Sequence, residues 1–114
     1  MNFLKSLLLS VLLVVPASAV IMPMDVIILF DDSGSIDSGD YETQKTGIQT
    51  IINGLPVNSS EVNVSLINFS TNASLLLNLS SDTGAISTAL TNASQGFGQT
   101  NHAEAFTTAS TQFS

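Results

Sequence analysis

Five consecutive apolar residues, Val26 to Phe30, run directly into Asp31-Asp32-Ser33-Gly34-Ser35. An apolar run this short, bounded by polar turn residues, reads as a fully buried strand. The residues after it are small, oxygen-bearing and turn-forming, so the strand ends in a tight loop. In an open α/β sheet, ligands bind at the carboxyl ends of the strands. Asp31, Ser33 and Ser35 alternate along this loop, so their oxygens can converge on one point while Asp32 and Gly34 face elsewhere. That spacing suits a hard cation. A plainer reading is a capped turn in which the same Asp and Ser side chains satisfy backbone amides.

The rest of the chain supplies the layers such a strand needs. Tyr41, Gln44, Ile48, Ile51, Ile52 and Leu55 recur at helical spacing and predict a helix over residues 40–54, with Ser38 and Asp40 as N-cap candidates. Gly54 is a plausible stop, with Pro56 shortly after. Val62, Val64 and Leu66 alternate with polar residues and predict a second strand over 61–69. A third strand over 73–79 follows a turn at 70–72, a link too short for a crossover, so the pair is antiparallel. Ser81-Asp82 caps a short helix to about Thr91, and a last helix begins near Thr100 or Asn101. Phe30, Phe69, Phe106 and Phe113 read as core, and His102, the single histidine, as a surface helix residue. Helices alternating with apolar strands give an α/β class.

The chain has 114 residues, room for one small domain at most. Residues 1–19 read as a secretory signal peptide: Lys5, an apolar stretch from Leu7 to Val15, then Ala17-Ser18-Ala19 as cleavage site. The apolar stretch is too short for a transmembrane anchor, which needs roughly 20 such residues. The domain is then residues 20–114, with no membrane span. Without Lys5, Lys45 is the one strong base against nine acids, a net charge of −8. Nucleic acid is excluded as a partner, because neutralising phosphates takes Lys and Arg. There is no cysteine, so no disulfide supports the core.

Six Asn-x-Ser sequons lie between Asn58 and Ser94, at Asn58, Asn63, Asn68, Asn72, Asn78 and Asn92. Nine Asn among 28 Ser and Thr would produce about two by chance. The excess fits N-glycosylation in a secretory route. Asn63 and Asn68 fall in the second strand, where a glycan fits only if the side chain faces water.

At this point the motifs carry a family resemblance. PMDVIILFDDSGSI, residues 23–36, resembles the opening of a von Willebrand factor type A domain, an apolar strand ending in Asp-x-Ser-x-Ser. VNVSLINFS, residues 62–70, resembles that family's second strand with its Phe-Ser ending. GFGQTNHAEAF, residues 96–106, resembles the Gly-rich loop and Thr that open the next helix. The resemblance covers residues 23–114, the N-terminal half of the family's fold. It implies a truncated Rossmann-like three-layer sandwich: a three-strand sheet of order 3-2-1, strand 3 antiparallel, with flanking helices.

The resemblance also implies a metal-ion-dependent adhesion site. Ser33, Ser35 and Thr100 would coordinate a divalent cation, Mg²⁺ or else Mn²⁺ or Ca²⁺, with Asp31 binding directly or through water. Asp32 is not among the family's ligands. A further family Asp, at the end of a fourth strand, has no counterpart, because no Asp follows residue 100. The chain reads as a domain cut short, its first strand an open edge. The expected function is a secreted, extracellular adhesion module binding an acidic residue of a protein or matrix ligand through the cation. The alternative is a metal-free interaction fragment pairing through that open edge.

Enzyme readings fit poorly. Haloacid-dehalogenase-type phosphatases need a second carboxylate two residues after the nucleophilic Asp, and Ser33 stands there. Ser33-Gly34-Ser35 lacks the flanking glycines of a nucleophile elbow. The expectation is that the chain is not an enzyme.

Overall fold

In the computed structural model, which describes residues 23–59 and 61–113, the apolar run forms strand β1, Met24–Asp31, parallel to β2, Val62–Phe69. Val26 is in register with Val64, Ile28 with Leu66 and Phe30 with Asn68. β3, Ala73–Ser80, pairs antiparallel with the other side of β2, with register shifts around Leu66. The sheet order β1-β2-β3 is the expected one, β2 in the middle. The expected signal peptide lies outside the described residues. Among the described residues no helix is long and apolar enough to cross a membrane.

Helix α1 spans Ser38–Gly54, two residues longer than its sequence suggests. Its N-cap is Asp37, not Ser38 or Asp40. Asp37 has the extended backbone a cap requires, and its carboxylate accepts the Asp40 N–H at 2.8 Å. At the other end no glycine adopts positive φ. The helix stops because Leu55, immediately before Pro56, is forced extended. Helix α2, Thr83–Asn92, is capped by Asp82, and α3, His102–Ser110, by Asn101.

One face of the sheet carries the main core. Val62, Val64 and Leu66 of β2, with Phe30 of β1, pack against Tyr41, Ile48 and Ile52 of α1 and Ile86 and Leu90 of α2. The Phe30 and Tyr41 rings stack with centroids 6.1 Å apart. By alternation Ile67 and Phe69 face the opposite side. There α3 lies over β2, with Ala105 buried and the His102 ring 5.3 Å from that of Phe69.

Four burial expectations need correcting. β1 is half-buried from Val26 to Leu29, and only Phe30 is closed off, because β1 lies at the sheet edge. Ile51 is 58% exposed, on the outer side of α1. Phe106 is 63% exposed, because α3 meets the sheet through the small Ala105, and Phe113, in the 3₁₀ turn Thr111–Phe113 past the end of α3, is 67% exposed. Lys45 is buried instead, one turn on from Tyr41 on the inner face of α1. Its stem lies in the apolar layer while Nζ donates to the carbonyls of Thr91, at 3.1 Å, and Ala93, at 2.8 Å. That places a cation at the C-terminal end of α2, where free carbonyls and the helix dipole favour one.

Candidate functional site

The candidate site forms where β1 ends. Successive strand residues direct their backbone groups to opposite sides. The Asp32 N–H goes to Phe69 O of β2 at 2.8 Å, so the Asp31 groups face the open edge. Gln44 of α1 takes both: its Oε1 accepts the Asp31 N–H at 3.2 Å and its Nε2 donates to Asp31 O at 2.9 Å. Asp31 is thereby fixed between β2 and α1.

From Asp31 the motif turns on itself. Asp31 Oδ1 accepts the Ser33 N–H at 2.8 Å, and the Ser33 and Ser35 hydroxyl oxygens are 3.0 Å apart. The first contact is the turn-capping bond of the plainer reading. The second is also the spacing of neighbouring vertices in an octahedron of oxygens at about 2.1 Å from a central ion. The donor set is one carboxylate with hydroxyls. Among the described residues no group of three or more His, Cys, Asp or Glu is placed to hold a metal.

A second loop, residues 93–101, is stitched to the first almost residue by residue. Asn68 Nδ2 donates to Ser94 O at 3.2 Å. Gln95 Nε2 donates to the carbonyls of Ser33, at 2.9 Å, and Ile36, at 2.6 Å. The Gly96 N–H donates to Asp32 Oδ2 at 3.1 Å and the Phe97 N–H to Asp32 O at 2.9 Å. The Gly34 N–H then reaches Gly98 O at 2.8 Å. Such contact needs glycine: a Cβ at Gly34 would sit 2.7 Å from Phe97 O, and one at Gly98 2.5 Å from Thr71 Oγ1. Phe97, between two glycines, has φ 62° and is 63% exposed. A bulky residue there costs about 1–2 kcal/mol.

Gln99 and Asn101 bond to Thr71 Oγ1 and Ser70 O, each at 2.9 Å, which brings Thr100 to this end of the sheet. Thr100 is exposed, and among the described residues its hydroxyl makes no hydrogen bond. Ser35 is exposed too, but Ser33 is fully buried. The structure therefore gathers Asp31, Ser33 and Ser35 through direct hydrogen bonds, and none of these reaches Thr100.

Asp32 is 5% exposed. Burial pushes its carboxyl above the usual carboxylate range; bonds from Ser70 and Gly96 pull it back in part, and Asp31 adds to the rise. Its Oδ1 has no partner among the described residues, nor do Asn68 Oδ1 and Gln95 Oε1. Sequence reasoning missed Gln44, Lys45 and Gln95 as organisers of the site. Only Lys45 left a signal, as a lone base on a helix face otherwise apolar.

The six sequons are placed unequally. Asn72, Asn78 and Asn92 are exposed. Asn63 is half-buried and donates to Asp25 at 3.1 Å. Asn68 is 4% exposed, its Nδ2 engaged by Ser94 O, so it does not face water as a glycan would require. Asn58 lies in the turn Val57–Ser59, and its side chain is outside the described residues.

Residues 26–114 match the von Willebrand factor type A domain family. Among solved structures, the conserved hypothetical protein BatB from Bacteroides thetaiotaomicron superposes with a TM-score of 0.70 at 25% identity, over 80% of this chain and 46% of that one. Proximal thread matrix protein 1 from the mussel byssus, with a zinc-occupied MIDAS motif, superposes with a TM-score of 0.71 at 20% identity, over 78% of this chain and 24% of that one. The type V pili tip protein Mfa5 from Porphyromonas gingivalis superposes with a TM-score of 0.56 at 16% identity, over 72% of this chain and 28% of that one. The chain thus spans less than half the length of each of these proteins. None of the curated proteins matches it.

Proposed function

The chain belongs to the von Willebrand factor type A domain family, and on that premise we propose that it is an extracellular binding module that captures an acidic group through a divalent cation. Ser33, Ser35, Thr100 and Asp31 would hold the ion, Mg²⁺ first, with Mn²⁺ or Ca²⁺ as substitutes. The observation that carries this reading is the Ser33–Ser35 oxygen pair, 3.0 Å apart beside a carboxylate at a strand end. When bound, the cation supplies a positive centre only partly neutralised by this donor set, hence open to a partner's carboxylate. Asp31 is braced by Gln44, and Ser33 by the Gln95 bridge to its carbonyl. Ser33 is buried while Ser35 beside it is exposed, so the cation would be reached from the Ser35 side.

The partner in this reading is a protein or matrix component with an exposed acidic residue. Relatives of the fold from a byssal thread matrix and a pilus tip support such a setting. The module is secreted, carries N-glycans and performs no catalysis. Pairing through the edge of β1 is the second reading, and the structure disfavours it at one point: Gln44 already occupies the Asp31 backbone groups that an incoming strand would use.

The test is capture of immobilised peptides that differ only in a central Asp or Asn, in Mn²⁺ and in a chelator. Retention of the Asp peptide over the Asn peptide, lost on chelation, is the expected result. Equal retention in both conditions would remove the cation-bridged reading.

A further inference from the structure

Phe97 is the one residue other than glycine with positive φ among the described residues. In that region Cβ crowds the neighbouring carbonyl, and glycine is the default. The loop has glycine on both sides, Gly96 and Gly98, yet places its aromatic residue where the backbone favours glycine. The conformation is over-determined: the Phe97 N–H bonds to Asp32 O, Gly96 N–H bonds to Asp32 Oδ2, and Gly98 O accepts from Gly34.

The ring contributes little to the fold. It is 63% exposed, and among the described residues it stacks on no other ring. Its place is specific. The Phe97 carbonyl lies against Gly34, the residue between Ser33 and Ser35, so Phe97 stands at the rim of the cation site. Phe97 also lines an open groove of about 640 Å³ shared with Ser38, Tyr41, Ser94 and Gln95 and with one charge of each sign, Glu42 and Lys45. Backbone conformations of this kind cluster at active sites and ligand clamps.

We propose that Phe97 is a specificity-determining contact: it selects an extended acidic segment that carries a large apolar side chain near the captured acid. The acidic half of this inference rests on the cation reading of the site; the aromatic half rests on Phe97 itself. An exposed ring offers an apolar partner area and edge-to-face contact, and the groove beside it accommodates a chain running past the loop.

Immobilised nine-residue peptides with a central Asp or Asn, and Phe or Ala scanned through the flanking positions, test the two halves separately on the full chain. In Mn²⁺, one flanking position should favour Phe over Ala by about tenfold. Phe97→Ala should reduce that preference to about twofold or less and leave the Asp-over-Asn preference in place. Phe97→Gly should lose the preference equally while holding or raising the melting temperature, because it relieves the strained backbone. A Phe preference that survives Phe97→Ala overturns the proposal. So does a drop in melting temperature with Phe97→Gly as large as that with Ile86→Ala, since the ring would then be structural. Asp preference without Phe preference defeats Phe97 alone. Phe preference without Asp preference defeats the cation reading and leaves the aromatic contact standing. Binding of no peptide defeats both.

Discussion

The Gly96 amide donates to Oδ2 of Asp32 at 3.1 Å, joining residues 64 positions apart. This bond, with Phe97 N–H on the Asp32 carbonyl, locks the second loop onto the motif loop. Removing the carboxylate takes away the acceptor that ties Gly96, an exposed residue, to the buried Asp32. Asp32→Ala should therefore lower unfolding free energy by about 1–3 kcal/mol in urea titrations. Asp32→Asn keeps an acceptor and removes a buried charge, and should cost less. Equal losses would mean that the carboxylate's contact with Gly96 is not what stabilises the loop.

Gly34 tests the closeness of the two loops. A methyl group there meets Phe97 O at 2.7 Å, a backbone atom that cannot swing aside. Gly34→Ala should destabilise the chain by about 1–3 kcal/mol, the range for overpacking. Gly47→Ala, in the middle of α1 with nothing within 4 Å of the added carbon, should stabilise it by about 0.5–1 kcal/mol. Thermal melts of the two variants should move in opposite directions.

Tyr41 is the only tyrosine and there is no tryptophan, so phenolate absorbance reads it alone. Burial raises its phenol above the usual value; the Asn68 hydrogen bond partly offsets this, and the charges of Asp32 and Glu42 add to the rise. The folded chain should ionise above the midpoint of the urea-unfolded chain, which sits near 10. For an acid raised in the folded state, the stabilising contribution is full below the unfolded pKa. It is lost as pH climbs through the folded pKa. Stability should fall on the alkaline side of 10, and Tyr41→Phe should flatten that fall.

The fold was readable where one period governs one face. The alternation of Val62, Val64 and Leu66 and the helical spacing of Tyr41, Ile48 and Ile52 translate directly into the main core. The cluster of Asp31, Ser33 and Ser35 oxygens was readable because the three are consecutive alternating positions. Residues that act across the chain were not. Gln44, Gln95 and Lys45 hold backbone groups 13 to 62 positions away, and a polar side chain carries no mark of the carbonyl it will reach. Phe106 misled because helical spacing says which residues share a face, not whether that face is covered, and Phe113 misled because the α-helix ends at Ser110, before it.

The sequons divide by burial if the chain passes through a glycosylating secretory route, as proposed. Glycopeptide mass spectrometry of the folded, secreted chain should find glycan at one or more of Asn72, Asn78 and Asn92 and none at Asn68. A glycan on Asn68 would displace its bond to Ser94 O and open the sheet beneath the loop. Secreted, folded material carrying glycan at Asn68 would contradict the placement of that side chain.

Calorimetric titration of the chain with Mg²⁺ and Mn²⁺, beside Asp31→Ala, tests the central claim most directly. One saturable cation site in the parent chain, lost or at least tenfold weaker in the variant, is the predicted result. No saturable heat with either ion, or the same binding with and without the Asp31 carboxylate, would contradict it.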